Sequence, residues 1–150
     1  MKIFGMFIMG LIVFVAFAFP AYSRDTKLLL PIATAMEGAK NAKEPLSGSV
    51  KFFFGNQPHP QVLTKLGSDV TNPKTNAVGK SDEAACNWVF LSAMIALDKR
   101  AQQLGANAVV NIVSYYRKVE MSSPTEFECH AGNVIAGVAL KGDFVKIADQ

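Results

Sequence analysis

The chain has 150 residues, with 15 basic against 12 acidic side chains and a formal charge of +3. Its longest basic blocks are the pairs Lys99-Arg100 and Arg117-Lys118, so no basic face for nucleic acid is expected. The positive mean hydropathy of +0.21 comes largely from the amino-terminal segment.

That segment has the layout of a secretory leader. Met1 and Lys2 form a short positive start, Ile3 to Phe19 is uncharged and apolar, and Pro20 breaks the run. Ala21-Tyr22-Ser23 then places small residues at the −3 and −1 positions of a cleavage point between Ser23 and Arg24. The expected division is a leader over 1–23 and a single α+β domain over 24–150. The alternative is an inner-membrane anchor formed by residues 3–19, at the short edge of the roughly 17–25 that a spanning helix needs. No cysteine lies near the exit, which excludes a lipid-anchored terminus there. Loss of Lys2 lowers the formal charge to +2, and about 127 residues are enough for one core. The expected location is periplasmic or secreted, where neither nucleotide nor nucleic acid awaits.

Downstream, Lys27–Ile32, Val50–Phe54 and Gln61–Val70 read as strands, with a short helix or loop over Ala33–Ser49 and a polar connection over Asn72–Gly79. The strongest element is a helix over about 81–104. Ser81 is its N-cap, Asp82 and Glu83 suit the positive end of the helix dipole, and Gly105 supplies a left-handed stop. Cys86, Val89, Phe90, Ala93, Leu97, Ala101 and Leu104 form its apolar stripe. Trp88, Leu91, Met94 and Ile95 widen it, which predicts cover on more than one side or a partner surface. Asp98, Lys99, Arg100, Gln102 and Gln103 mark a wet side over the last turns. Ala108–Tyr116 is a strand, and Ser122-Ser123-Pro124 predicts a turn that returns Thr125–His130 beside it. Asn133–Leu140 follows, across a bulge at Gly132, and Gly142-Asp143 turns into Phe144–Ile147. The fold expected is an antiparallel or mixed sheet with the long helix packed on one face.

The leader gives Cys86 and Cys129 their meaning: in an oxidising compartment, two thiols in one small domain are expected to be joined. A structural staple closing a loop of 43 residues would stabilise the fold by roughly 4 kcal/mol. A redox-active pair is the other reading, although no C-x-x-C lowers a thiol pKa. Gly79-Lys80-Ser81 resembles the end of a phosphate-binding loop, but Lys74 stands where the pattern needs glycine, and an ATPase is rejected. His59 and His130 are the metal-ligand candidates, and neither has the closely spaced partner that zinc sites use. Glu126 and Glu128 alternate on one strand face, the pattern of a solvated surface. Phe52-Phe53-Phe54 reads as core, or as an edge offered to a partner.

The stretch Leu97-Asp-Lys-Arg-Ala-Gln-Gln-Leu-Gly-Ala-Asn-Ala-Val-Val-Asn-Ile112 resembles the helix-to-strand signature of the YbjQ-like fold, which the RcsF-like outer-membrane stress sensors share. Val62–Gly67 and Gly137–Lys141 resemble its preceding and closing strands. With Arg24–Pro31, Lys80–Cys86 and Glu128–Gly132, nearly all the chain after the leader is similar to uncharacterised exported bacterial proteins that often carry the label "excinuclease ATPase subunit". The resemblance implies a small sheet with one long helix. The chain departs from the sensors in lacking a lipidated cysteine and in having one cysteine pair. The YbjQ-like group has been called heavy-metal-binding, and some members form rings. The function expected is a non-enzymatic periplasmic binding or interaction module, concerned with envelope homeostasis or stress sensing. It would need no cofactor and act through a protein partner or self-association, touching a membrane only if the leader is retained. The alternative is a metal- or redox-handling periplasmic protein.

Overall fold

A computed structural model describes residues 23–148; the leader and the anchor alternative fall on residues outside that range, apart from Ser23. The elements are β1 (Thr26–Pro31), α1 (Ile32–Ala39), β2 (Lys51–Phe54), β3 (Val62–Thr71), β4 (Lys74–Asn76), α2 (Asp82–Leu104), β5 (Ala108–Ser114), β6 (Glu126–Ala131), β7 (Ile135–Gly137) and β8 (Leu140–Ile147). The fold is α+β, with two four-stranded sheets rather than one. The first has the order β1-β6-β7-β4 and the second β2-β5-β8-β3. All pairs are antiparallel except β2 with β5, which makes the second sheet mixed.

Helix α2 forms where local chemistry places it. The Ser81 hydroxyl accepts the Ala84 amide at 3.1 Å, and Gly105, at φ +71°, closes the last turn. Its stripe is buried against strands of both sheets, and α1 packs on it as well; Leu91 and Met94, which widen the stripe, are also buried. Phe90 stacks on Phe127 with ring centroids 4.2 Å apart and touches Phe54 at 6.0 Å. Stacked aromatics of this kind add to the gain from apolar burial. Trp88 stays exposed.

Several expectations need correction. Asp98 is buried rather than wet: its carboxylate accepts the Ser47 amide and hydroxyl, both at 2.8 Å, and so ties the loop after α1 to the helix. The turn at Ser122-Ser123-Pro124 does not lay β6 beside β5. Both edges of β5 are already taken by β2 and β8, so only the bridge between Ser114 and Met121 forms there. The Ser123 hydroxyl accepts the amides of Thr125 and Glu126, and the chain crosses to pair with β1 instead. Gly132 is a hairpin turn, its amide donating to the Ile135 carbonyl at 2.8 Å, and not a bulge within one strand. Strand β8 runs straight through Gly142-Asp143, where a turn was expected. The polar connection before α2 contains β4.

The three phenylalanines divide between two cores. Phe52 and Phe54 face the main core, while Phe53 packs with Ala108, Val110, Val145 and Ile147 on the far side of the second sheet.

Candidate functional site

Strand β6 has two different faces. Phe127, Cys129 and Ala131 point into the core, and Cys129 is disulfide-bonded to Cys86, with the Cα atoms 5.9 Å apart. The bond pins the first turns of α2 to the middle of the first sheet. Because side chains alternate along a strand, Glu128 and His130 share the opposite face. The register with β1 sets Lys27 opposite His130, which brings a cation onto that face beside Glu128.

There His130 is held from three directions. Its Nδ1 lies 2.8 Å from the Asp25 carboxylate and its Nε2 lies 2.7 Å from Glu128. Each ring nitrogen thus lies within hydrogen-bond distance of a carboxylate, so the imidazole is bracketed by two acidic side chains. The Tyr116 ring stacks on the imidazole with centroids 3.4 Å apart and planes 10° from parallel. The Tyr116 hydroxyl donates to Asp25 at 3.1 Å, and the Arg117 guanidinium reaches the same carboxylate at 3.4 Å while lying over the Tyr116 ring. Arg117 and Lys118 take positive φ angles, +50° and +64°, a conformation that non-glycine residues rarely adopt. The tight turn they form is what brings Tyr116 and Arg117 onto the first sheet.

The charges shift in consistent directions. The hydrogen bond from His130 holds the Asp25 carboxyl below its ordinary range, against a smaller opposing push from burial, with Tyr116 and Arg117 helping to lower it. Burial pushes Glu128 up, but hydrogen bonds from His130 and from Lys27 at 2.9 Å outweigh it and leave its pKa lowered. Burial and the neighbouring Asp25 raise the Tyr116 phenol. Glu128, expected on a solvated face, is only 8% exposed. Its amide donates to the Ser114 hydroxyl at 2.9 Å, linking the site to the second sheet. Glu126 is exposed.

Beside this cluster lies an open cleft of about 510 Å³. Ser23, Arg24 and Asp25 form one wall, Tyr116, Arg117 and His130 another, and Lys74 and the β6–β7 hairpin the rest. Val134 and Ile135 of that hairpin are 59% and 52% exposed. Both residues of the expected cleavage point, Ser23 and Arg24, thus line the cleft. The Arg24 guanidinium clamps Asp82 at 2.6 and 3.1 Å and donates to the Gly132 carbonyl at 3.0 Å.

The two metal candidates are not brought together. His59 lies in the segment after β2, its ring against Phe53 at 5.5 Å and its Nδ1 2.8 Å from the Pro60 carbonyl. His130 has both nitrogens engaged. Among the described residues no group of three or more His, Cys, Asp or Glu side chains is arranged to hold a metal ion. The Ser81 hydroxyl serves as the N-cap of α2, and the Lys80 ammonium donates to the Asn76 carbonyl at 3.0 Å.

Reasoning from sequence missed Asp25, Lys27, Tyr116 and Arg117. The pair Glu128–His130, alternating on one strand face, was the available signal, because two such groups on a partly covered face must find counter-charges. Comparison with protein-family models, curated proteins and solved structures gives no match. Among the described residues no helix is long and apolar enough to cross a membrane.

Proposed function

We propose that the chain is a non-enzymatic, extracytoplasmic binding or interaction module whose working surface is the cleft beside His130. The observation that carries the reading is the state of the cleft's one imidazole. Both nitrogens are engaged, one by Asp25 and one by Glu128, so neither is left free to meet a substrate or a metal. The cluster is built to hold a shape, and the apolar Val134 and Ile135 are left uncovered beside it. The intramolecular disulfide is compatible with an oxidising compartment. The arrangement of a long helix against antiparallel strands is compatible with the YbjQ-like and RcsF-like resemblance, and with a role in envelope homeostasis. The metal- or redox-handling alternative draws no support from the placement of His59 and His130 or from the buried sulfurs.

The test is a photo-reactive amino acid at Ile135 in intact bacterial cells, with the same group at the exposed Leu63 of β3 as control. A discrete adduct at Ile135 that Leu63 does not give is the expected result. Equal or absent labelling at the two positions would overturn the cleft as the working surface, and recovery of the protein with reduced thiols from the cytosol would overturn its placement.

A further inference from the structure

The expected cleavage point and the cleft coincide. Ser23 and Arg24 both line it, so the peptide bond joining them lies in its wall. Arg24 is fixed there by its clamp on Asp82 and the Gly132 carbonyl. Its backbone also runs close against the hairpin: a Cβ on Gly132 would sit 3.0 Å from the Arg24 carbonyl oxygen, so a side chain there would crowd the Arg24 backbone. The charged groups in and around the cleft are then unevenly satisfied. Arg24 is paired with Asp82, Lys27 with Glu128, and Asp25 is shared by His130, Tyr116 and Arg117. Lys74 has no carboxylate partner among the described residues, only the Asn72 side-chain oxygen at 3.3 Å. Arg117 holds Asp25 at a long 3.4 Å and is mostly exposed.

We propose that leader removal completes this cleft as a binding site for a carboxylate carried on a linear apolar chain. The inference rests on the reading that the leader is cut after Ser23. Hydrolysis of the Ser23–Arg24 bond by a leader peptidase consumes one water. The Ser23 carboxylate leaves with the leader, and a free amine remains on Arg24. Loss of Ser23 opens that wall, and the new α-ammonium adds a positive charge to the cleft that Lys74 and Arg117 also line. The anionic head of the ligand meets these three cations, and its apolar chain lies on Val134 and Ile135.

The probe is octanoate, with octan-1-ol as the neutral control, titrated into the chain beginning at Arg24 and followed by backbone amide shifts. The same chain acetylated at Arg24 is the comparison. At about pH 6.5 the free-amine form should bind octanoate about fivefold more tightly, the scale of one exposed charge pair. That advantage should vanish by about pH 9, because an α-amine titrates at roughly 7.7–8.0. Asp25, Lys74, Asp82, Tyr116, Arg117 and His130 face the same space but are common to both forms, so the difference between them isolates the amine. Lys74→Met should weaken octanoate by about threefold and leave octan-1-ol unchanged.

Equal affinity of the two forms, or octan-1-ol binding as well as octanoate, would overturn the inference. Amino-terminal sequencing of protein from the periplasm separates the two failures. A start other than Arg24 would overturn the leader reading, whereas a start at Arg24 with no effect of acetylation would overturn the carboxylate site alone.

Discussion

The two faces of β6 solve the problem of burial in opposite ways. On one, Phe127, Cys129 and Ala131 lose nearly all contact with water and gain from apolar transfer, aromatic stacking and a covalent link to α2. On the other, Glu128 and His130 are also largely covered, yet each carries polar atoms that cost several kcal/mol if left unpaired. The second face is therefore satisfied group by group, with Lys27 and Asp25 arriving from the β1 end of the chain and Tyr116 and Arg117 from a strained turn. Apart from the disulfide, the first face asks of a side chain mainly that it be apolar and of the right volume. The second depends on particular partners at particular distances.

The comparison breaks most visibly on the apolar side. Phe127→Ala removes a ring that is 1% exposed and stacked on Phe90, and should cost about 3–5 kcal/mol in chemical denaturation. Replacing both cysteines, Cys86→Ser with Cys129→Ser, should cost about 2–5 kcal/mol, because the 43-residue loop regains its freedom in the unfolded chain. Reduction of the native protein should lower its melting temperature comparably. A loss below about 1 kcal/mol would mean that the reduced, unfolded chain already keeps the two segments together.

The same contrast explains what could be read from the sequence. Helix α2 was legible because its determinants are local: Ser81, the Asp82-Glu83 pair, the stripe from Cys86 to Leu104 and Gly105 lie within one segment. The disulfide was legible because the sequence holds only two cysteines and its leader-like start led to the expectation of an oxidising compartment. The division into two sheets was not, because it follows from which strand edges remain free once β2 and β8 have flanked β5. The polar cluster was illegible for a related reason. Asp25 and His130 are 105 positions apart, and no spacing rule connects residues that only the β1–β6 register brings together. Asp98 was misplaced because a carboxylate among Lys99, Arg100 and Gln102 reads as solvated. Its partners, the Ser47 amide and hydroxyl, lie 51 positions away, where no local spacing announces them.

On the polar side the effects should be smaller and dependent on pH. Glu128→Gln keeps the shape but removes the charge that Lys27 and His130 share, and should cost about 1–3 kcal/mol at neutral pH. Asp25 and Glu128 both have lowered native pKa values. Each therefore contributes stability that is fully present above its unfolded value, near 3.9 for Asp and 4.3 for Glu, and lost as pH falls through the lower native value. Melting temperature should fall as pH drops below about 4.5, and the fall should be shallower in Glu128→Gln. Parallel curves for the two proteins would show that the carboxylate is not coupled to its partners.

The smallest effect should appear in the turn that serves the polar face. Arg117 and Lys118 share the positive-φ conformation, but only Arg117 has a further role, over the Tyr116 ring and against Asp25. Glycine adopts this conformation without the roughly 1–2 kcal/mol penalty of other residues, although it loses more freedom on folding. Lys118→Gly should therefore stabilise by about 0.5 kcal/mol, read from the denaturation midpoint. Arg117→Gly relieves the same strain but discards the stacking and the ion pair, so it should be neutral or slightly destabilising. If the two variants behave alike, the turn carries strain that the His130 cluster does not use. If they diverge in this order, the strain is held in place by what Arg117 touches.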